Sequence, residues 1–415
     1  MAAMIVDSVA DEVLGKIRAR GTYRRMRVLE GAQGPRMTVD GREVLLFAGS
    51  NYLDLAHHEA VVAASVRATR ESGCAAGGSR LISGNRAGHE ALEAELAEFF
   101  GREAGLAFNT GYMANLGVIQ ALLGPKDLLV SDALSHASII DGARLSRAEV
   151  RVFPHGDVAA LAEILAAGKK TSRRVLVAVD GVYSMDGDLA PVADIVNLAH
   201  EHGAMVLLDD AHGTGTLGAT GQGSAELAGV TRRVDILMGT LGKSLGSFGA
   251  FVVSSHKLRD LLVNTARSFI FSCALAPPQV AAARAALRVV IDEPQRRVAL
   301  QKNAARLRER LRSHGLSTAP STTHIVPVVI GDNATTMEIC ESLLERGFYA
   351  QGIRHPSVPR GTARLRVTPM SSHSPGEIDA VGDAIGELVA KYPAESIPAL
   401  GFRQPDHNEG RGLAP

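Results

Sequence analysis

The sequence predicts an α/β protein with a mostly parallel sheet in a large domain and a smaller α/β domain at the C-terminal end. Three observations carry this. From about residue 60 onward, short apolar runs alternate with amphipathic stretches, the pattern of strands covered by helices on both faces. Polar clusters follow the ends of those runs, where ligands bind in such sheets. The chain also has 415 residues, more than one core usually holds.

Each element follows from its local pattern. Residues 1–30 read as an amphipathic helix and then the basic stretch YRRMRV. GPRMTVDGREVLLFAGSNYL reads as a hairpin with an Asp-Gly turn, then a strand ending in a polar loop. AGLAFN, DLLVSD, EVRVFP, RVLVAVD, AMVLLDD, DILMG and AFVVS read as strands. HEALEAELAEFFG, DVAALAEILAAG and VADIVNLAHEHG carry helical spacing between them. The Ala- and Arg-rich stretch from APPQV to RLRSHG is helical and bridges to the second domain. There THIVPVVIG, RGFYAQGIR and TARLRVTP read as strands, and PGEIDAVGDAIGELVAKY closes the fold as a helix. The expected boundaries are an N-terminal helix and arm over 1–55, a large domain over 56–285, a small domain over 286–395, and a mobile tail over 396–415 with little to bury.

Composition narrows the function classes. Lys+Arg and Asp+Glu are both 44, so no net charge draws the chain to nucleic acid or another polyanion. Cys74, Cys273 and Cys340 are far apart and odd in number, which fits neither a disulfide framework nor a metal cluster and points to the cytoplasm. The charged start lacks the apolar core of a signal peptide, and no run approaches the roughly 18 apolar residues of a membrane span.

The chemistry concentrates in TLGKSLGS and LLDDAHGTG. Lys243 stands between Gly242 and Ser244 behind an apolar run; Asp209 and Asp210 close another. Buried Lys and Asp need partners. Pyridoxal phosphate (PLP) supplies both, with an aldehyde that a lysine captures and a ring nitrogen that an Asp keeps protonated. A phosphate-loop reading of the Gly-Lys-Ser fails, because Leu237 stands where the first glycine is needed. Asp209 is the choice for the ring nitrogen and Asp210 for a structural role, while His212 can donate to the ring oxygen. A metal site is the weaker reading, since no further ligands cluster there.

Four other segments fit around such a cofactor. Gly111, with Thr110 and Tyr112, opens a helix whose N–H groups can meet a phosphate; the plain alternative is a capped helix start. His136 follows a strand and can stack on a pyridine ring, or be an ordinary loop histidine. Ser184 and Asp186 lie in a loop that can reach the cofactor oxygen or a substrate carboxylate while Asp186-Gly187 makes a turn. Arg366 offers a fork for a carboxylate, against the alternative of a solvated strand arginine.

With those residues in place, the chain resembles the α-oxoamine synthases, a branch of the fold type I PLP-dependent transferases. SNYL, GGSRLISG, TGYMANLG, SDALSHASIIDGARLS, GVYSMDGDLAP, DDAHGTGTLG, GTLGKSLGSFG, FIFSCALAPP and IRHPSVPRGTARLRVT carry the likeness from about residue 20 to 393. The resemblance implies a PLP-dependent acyltransferase that joins an amino acid to an acyl-CoA or acyl carrier protein thioester with loss of carbon dioxide. It also implies a homodimer with a shared active site. Lys243 would hold PLP and carry protons, Asp209 pair the ring nitrogen, and His136 stack. Ser184 and His212 would hold the ring oxygen. Gly111, Tyr112 and Thr240 would hold the phosphate, with Ser272 reaching in from the partner. Arg366 would grip the amino-acid carboxylate, Ser50, Asn51 and Ser79 would line the substrate site, and Arg24 would face the acyl end. The sequence departs from the family at Ser50-Asn51-Tyr52, at Asp180 and at Ser272-Cys273-Ala274. L-alanine with a pimeloyl thioester is the first substrate choice. Glycine-, serine- and glutamate-using members stay open, as do an aminotransferase and a non-catalytic subunit of the same fold.

Overall fold

In the computed structural model, residues 5–392 are described; the expected tail over 396–415 lies outside them. A helix over Ile5–Ala19 precedes the small strands β1 (Leu29–Glu30), β2 (Arg36–Val39) and β3 (Arg42–Leu46). Asp40 and Gly41 turn the β2–β3 hairpin with φ of 48° and 79°, the left-handed pair that a two-residue turn of this kind needs.

The main sheet is built from β4 (Ala104–Phe108), β5 (Leu128–Asp132), β6 (Glu149–Phe153), β7 (Val175–Asp180), β8 (Met205–Asp209), β9 (Ile236–Thr240) and β10 (Ala250–Ser254). Its order is β4-β10-β9-β8-β7-β5-β6. β10 runs antiparallel to both neighbours, and the remaining pairs are parallel. Period-two alternation sends Leu128, Val130, Val177 and Leu208 into one core and Leu129, Leu176, Ala178 and Leu207 into the other, so helices cover both faces. The continuous apolar runs of β5, β7 and β9 are fully buried, while the edge strand β6 exposes Glu149, Val150 and Val152.

A second sheet holds β11 (Val326–Gly331), β13 (Gln351–Ile353) and β14 (Ala363–Val367) in the order β11-β14-β13. RGFYAQGIR is not one strand. β12 (Phe348–Tyr349) pairs in parallel with β3, whose Leu45 N–H and the following Phe47 N–H bond to Gly347 and Tyr349 carbonyls. Past the buried Ala350 the chain changes sheets, and β13 pairs with β14. Phe47 accordingly sits in one core with Leu307, Val326, Leu365 and Ile385. The bridging stretch forms two helices, Pro277–Asp292 and Gln295–Ser313, with Pro294 at the break.

The two sheets meet over the loop after β7. Gly187, at φ 69°, packs so closely that a Cβ would lie 1.9 Å from the Ile325 carbonyl oxygen. Thr323 Oγ1 donates to Gly187 O over 2.8 Å. This contact sets the Ser184 loop beside β14, which carries Arg366.

Candidate active site

The parallel register places Asp180 and Asp209 side by side at the carboxyl ends of β7 and β8, with Thr240 ending β9 next to them. Asp209 is 5% exposed. Its Oδ2 accepts from Asn115 Nδ2 at 2.7 Å and its Oδ1 from Ala211 N–H at 3.1 Å. It forms no ion pair among the described residues. Asp210 turns the other way and accepts from Ser224 N–H and Oγ at 2.7 and 2.8 Å. Burial pushes Asp210 up to about 7, against the pull of those bonds.

Lys243 lies just beyond β9, in a turn closed by Gly246 N–H on the Lys243 carbonyl. Its Nζ is 2.8 Å from His212 Nε2. Burial drives the lysine down to about 8; Asp209 and Asp180 oppose this and Arg366 adds to it. Burial, then Lys243 and Arg366, hold His212 well below the ordinary histidine range. Tyr52 Oη is 2.7 Å from His212 Nδ1, and Arg366 Nη2 donates to the same Oη over 3.2 Å. Arg366, Tyr52, His212 and Lys243 thus form one line of polar contacts, buried from Arg366 to His212 and half-buried at Lys243.

His136 caps the helix Ala137–Ser146. Its backbone N–H donates to Asp180 Oδ2 at 2.9 Å and its Nδ1 meets Ser138 Oγ at 2.7 Å. Ser138 Oγ also accepts from Asn115 at 2.8 Å, which ties His136 to the Asp209 carboxylate. Burial lowers His136, Asp209 partly restores it, and Lys243 lowers it further. Burial followed by Asp209 raises Asp180 well above the carboxylate range.

Gly111 opens the helix Gly111–Leu122, capped by Thr110 Oγ1 on Met113 N–H at 3.1 Å. The first-turn N–H groups of such a helix have no intrahelical acceptor. A Cβ on Gly111 would lie 3.0 Å from Thr240 Cγ2, so the glycine permits the close approach of helix and β9. The Tyr112 ring is exposed and its hydroxyl donates to Asp141. Ser272 Oγ accepts from its own chain's Asn109 Nδ2 at 2.6 Å.

Arg366 is buried, donates through Nε to the Ser184 carbonyl at 2.5 Å, and keeps Nη1 without a hydrogen bond among the described residues. Its strand neighbour Arg364 is instead committed to Asp186 in a buried ion pair. Asn51 is buried and used by its own turn: Nδ2 donates to Gln33 O and Asp54 Oδ1, and Oδ1 accepts from Leu55 and Ala56 N–H. Ser50 Oγ lies 3.5 Å from Tyr52 Oη and so borders the site. Ser79 pairs through its backbone with Cys273, and its side chain makes no hydrogen bond to the Lys243 line among the described residues. Arg24 is exposed; its neighbour Arg27 is held by Asp40 and Glu341.

Three residues of this site were not singled out from the sequence. Asn115 lies one helical turn beyond Gly111, a spacing that points it to the same face. Tyr52 gave only the signal of following Ser50-Asn51. His324 is fully buried with neither ring nitrogen hydrogen-bonded, edge-on to the Tyr52 ring at 4.1 Å, and held down to about 3 by burial and then by Arg366.

PLP fits this donor set. A buried carboxylate with no ion pair among the described residues suits a protonated ring nitrogen, a half-buried lysine of lowered basicity suits an aldehyde, and a helix start that a glycine lets close on β9 suits a phosphate.

Comparisons with known proteins agree. The family described as aminotransferase class I and II matches residues 42–385. The 8-amino-7-oxononanoate synthase of Geotalea daltonii is 48% identical over 382 residues, covering 92% of this chain and 97% of that protein. The enzyme of the same name from Geobacter metallireducens is 50% identical over 366 residues, 88% of this chain and 93% of its own. Among solved structures, the serine palmitoyltransferase of Sphingomonas wittichii superposes with a TM-score of 0.88 at 34% identity, covering 95% of this chain and all of that one. An S. paucimobilis serine palmitoyltransferase with a bound PLP–myriocin adduct gives 0.88 at 32% identity, covering 94% of this chain and 100% of its own. The chain therefore belongs to the class I and II aminotransferase family, with the fold of the fold type I PLP-dependent transferases. Within that family it falls in the α-oxoamine synthase branch.

Proposed function

We propose that this protein is a PLP-dependent 8-amino-7-oxononanoate synthase, condensing L-alanine with a pimeloyl thioester to give the amino ketone, carbon dioxide and the free thiol. The observation that carries this is the line of polar contacts from Arg366 to Lys243. It joins a carboxylate fork with a free Nη1 to a lysine of lowered basicity, which is what an α-amino acid substrate requires. The identity of about half with relatives of that name, over nearly their whole length, supports the particular reaction.

The residues divide the work. When bound, PLP supplies an electron sink for the amino acid's α-carbon. Asp209, fixed by Asn115, keeps the ring nitrogen protonated. Lys243 would hold the cofactor and, as an amine of lowered basicity, would take and return the α-proton. His136 would stack on the ring, and His212 and Ser184 would hold the ring oxygen. Gly111, Tyr112 and Thr240 would hold the phosphate. Arg366 and Ser50 hold the amino-acid carboxylate, with Ser79 and the Asn51 turn nearby. Arg24 faces the acyl chain. The site favours the charge that develops during reaction over the resting substrate.

The same reading includes a homodimer in which a second copy's Ser272 reaches the phosphate end. Ile82, Phe248 and Phe271 are 84%, 53% and 72% exposed, a set of large apolar side chains that a second copy would cover. It also includes a large unit over 56–285 and a small one over 286–395, with the arm's Phe47 packing favouring an arm held by the small unit. No helix among the described residues is long and apolar enough to cross a membrane.

A serine-using reaction is the second reading, favoured by the superposition on serine palmitoyltransferases. Thiol release measured across alanine, serine, glycine and glutamate with pimeloyl and palmitoyl thioesters decides. Alanine with the pimeloyl thioester is expected to lead; serine with the palmitoyl thioester leading replaces the first reading by the second.

A further inference from the structure

The hydrogen-bond line at Lys243 has a direction, and its direction is set at Tyr52. The Tyr52 side chain is buried, and the edge contact with His324 fixes its ring. Its hydroxyl lies between three groups: Arg366 Nη2 at 3.2 Å, His212 Nδ1 at 2.7 Å and Ser50 Oγ at 3.5 Å. Arg366 is a donor only, so Tyr52 Oη accepts from it. The hydroxyl proton then has two destinations. The 3.5 Å approach to Ser50 lies at the outer limit of a hydroxyl hydrogen bond, whereas 2.7 Å to His212 is near the optimum. The proton goes to His212.

We propose that Tyr52 is a positioning residue that, by donating to His212 Nδ1, places the histidine's proton on Nε2 and makes Lys243 Nζ the acceptor at the end of the line. The logic follows from counting protons. Nδ1 that accepts from Tyr52 cannot carry a proton of its own, so a neutral His212 carries it on Nε2. That N–H faces Lys243 Nζ at 2.8 Å. An ammonium has no lone pair to accept it, so the arrangement selects the neutral amine. The opposite polarity needs an ammonium donating to Nε2, an N–H on Nδ1 donating to Tyr52, and the tyrosine proton sent to the distant Ser50. Each reversal ends in the weakest contact of the set.

The charged and titratable groups around Lys243 are consistent with this. Asp209 and Asp180 favour the ammonium, Arg366 disfavours it, and His212, His136 and His324 each register the lysine as a charge that lowers them. The lysine sits near 8, where a small bias from a hydrogen bond changes the fraction of free amine at neutral pH. The ring oxygen of a bound cofactor would meet the same Nε2–H. The line also links the substrate fork to the base: a carboxylate held by Arg366 acts on Tyr52 through one shared atom. This inference rests on the reading of Lys243 as the cofactor lysine.

Two measurements test it on the full chain. In the first, Lys243 acetylation by acetic anhydride is followed against pH in protein freed of PLP, by peptide mass spectrometry. Tyr52→Phe is expected to move the midpoint of Lys243 reactivity up by about one pH unit. In the reloaded enzyme the same variant lowers kcat by about tenfold, while KM for the amino acid stays within about threefold. An unmoved or lowered midpoint overturns the proposal. The second reads the wild type itself: nitrogen-15 histidine NMR, with His212→Gln used only to assign the His212 signals by their loss. A proton on Nε2 is expected; a proton on Nδ1 overturns the proposal even if Tyr52→Phe does not fold. A failure of the substrate reading leaves the acetylation midpoint and the NMR outcome unaffected and shows as absent product with alanine.

Discussion

Asn115 Nδ2 donates to Asp209 Oδ2 over 2.7 Å, and the same amide bridges to Ser138 and so to His136. The carboxylate at the end of β8 is therefore held in one orientation by a side chain from the helix that starts at Gly111.

That contact gives the first prediction. Asp209→Asn retains PLP and loses turnover by several powers of ten, each worth about 1.4 kcal/mol. Asn115→Ala removes one bond to a charged group and is expected to cost about 1.5–3 kcal/mol of transition-state stabilisation, or roughly 10- to 150-fold in kcat. Steady-state kinetics check both. Near-normal turnover in Asp209→Asn moves the role to another acid.

The two arginines of β14 are expected to fail differently. Arg366→Ala deprives a buried carboxylate of its partner and raises KM for the amino acid by roughly 30- to 150-fold, about 2–3 kcal/mol. Arg364→Ala strands Asp186 in a buried site and lowers thermal stability, on the order of 3–5 kcal/mol. Kinetics and melting curves run side by side separate a binding arginine from a structural one; an exchange of the two phenotypes contradicts the assignment.

His155 supplies a pH test away from the chemistry. Burial pushes its basicity down, but hydrogen bonds to Asp132 at 2.9 Å and Asp188 at 2.7 Å outweigh this and raise it to about 10. A raised folded-state value stabilises fully below the unfolded value near 6.5, and the gain is lost as pH rises toward 10. The stability gap between the wild type and His155→Gln should therefore be widest below about pH 6.5 and close steadily toward pH 10. A gap that widens over that range contradicts the ion triad.

The sequence made the sheet legible because its strands are buried on both faces, so runs such as RVLVAVD and DILMG are apolar throughout and end in the polar residues that face the site. Lys243 and Asp209 stood out because each is a charge close behind an apolar run, where only a partner makes it tolerable, and Arg366 because an amino-acid substrate needs a carboxylate fork. RGFYAQGIR misled because a change of sheet at Ala350 leaves no mark in an alternating pattern. The role of Tyr52 was invisible for another reason: its partners His212 and Arg366 are far along the chain, and only the packing of two sheets brings them to one hydroxyl. Ser50 and Asn51 entered through the resemblance to the family, and no local pattern marks that the Asn51 amide is spent on its own turn.

Shared active sites predict complementation. Mixing Lys243→Ala chains with chains altered at Ser272 so that phosphate contact is lost should restore activity in hybrid dimers, since one of the two sites then has an intact lysine and an intact partner serine. Gel filtration with activity checks this. A fully active monomer rules the shared site out.

Lys243 is proposed to hold the cofactor, and borohydride reduction of the PLP-loaded enzyme tests that most directly. Peptide mapping after reduction is expected to find the pyridoxyl tag on Lys243 and to find none in Lys243→Ala. A tag on Lys169 or Lys170, at the far end of the helix Val158–Thr171, would contradict the account.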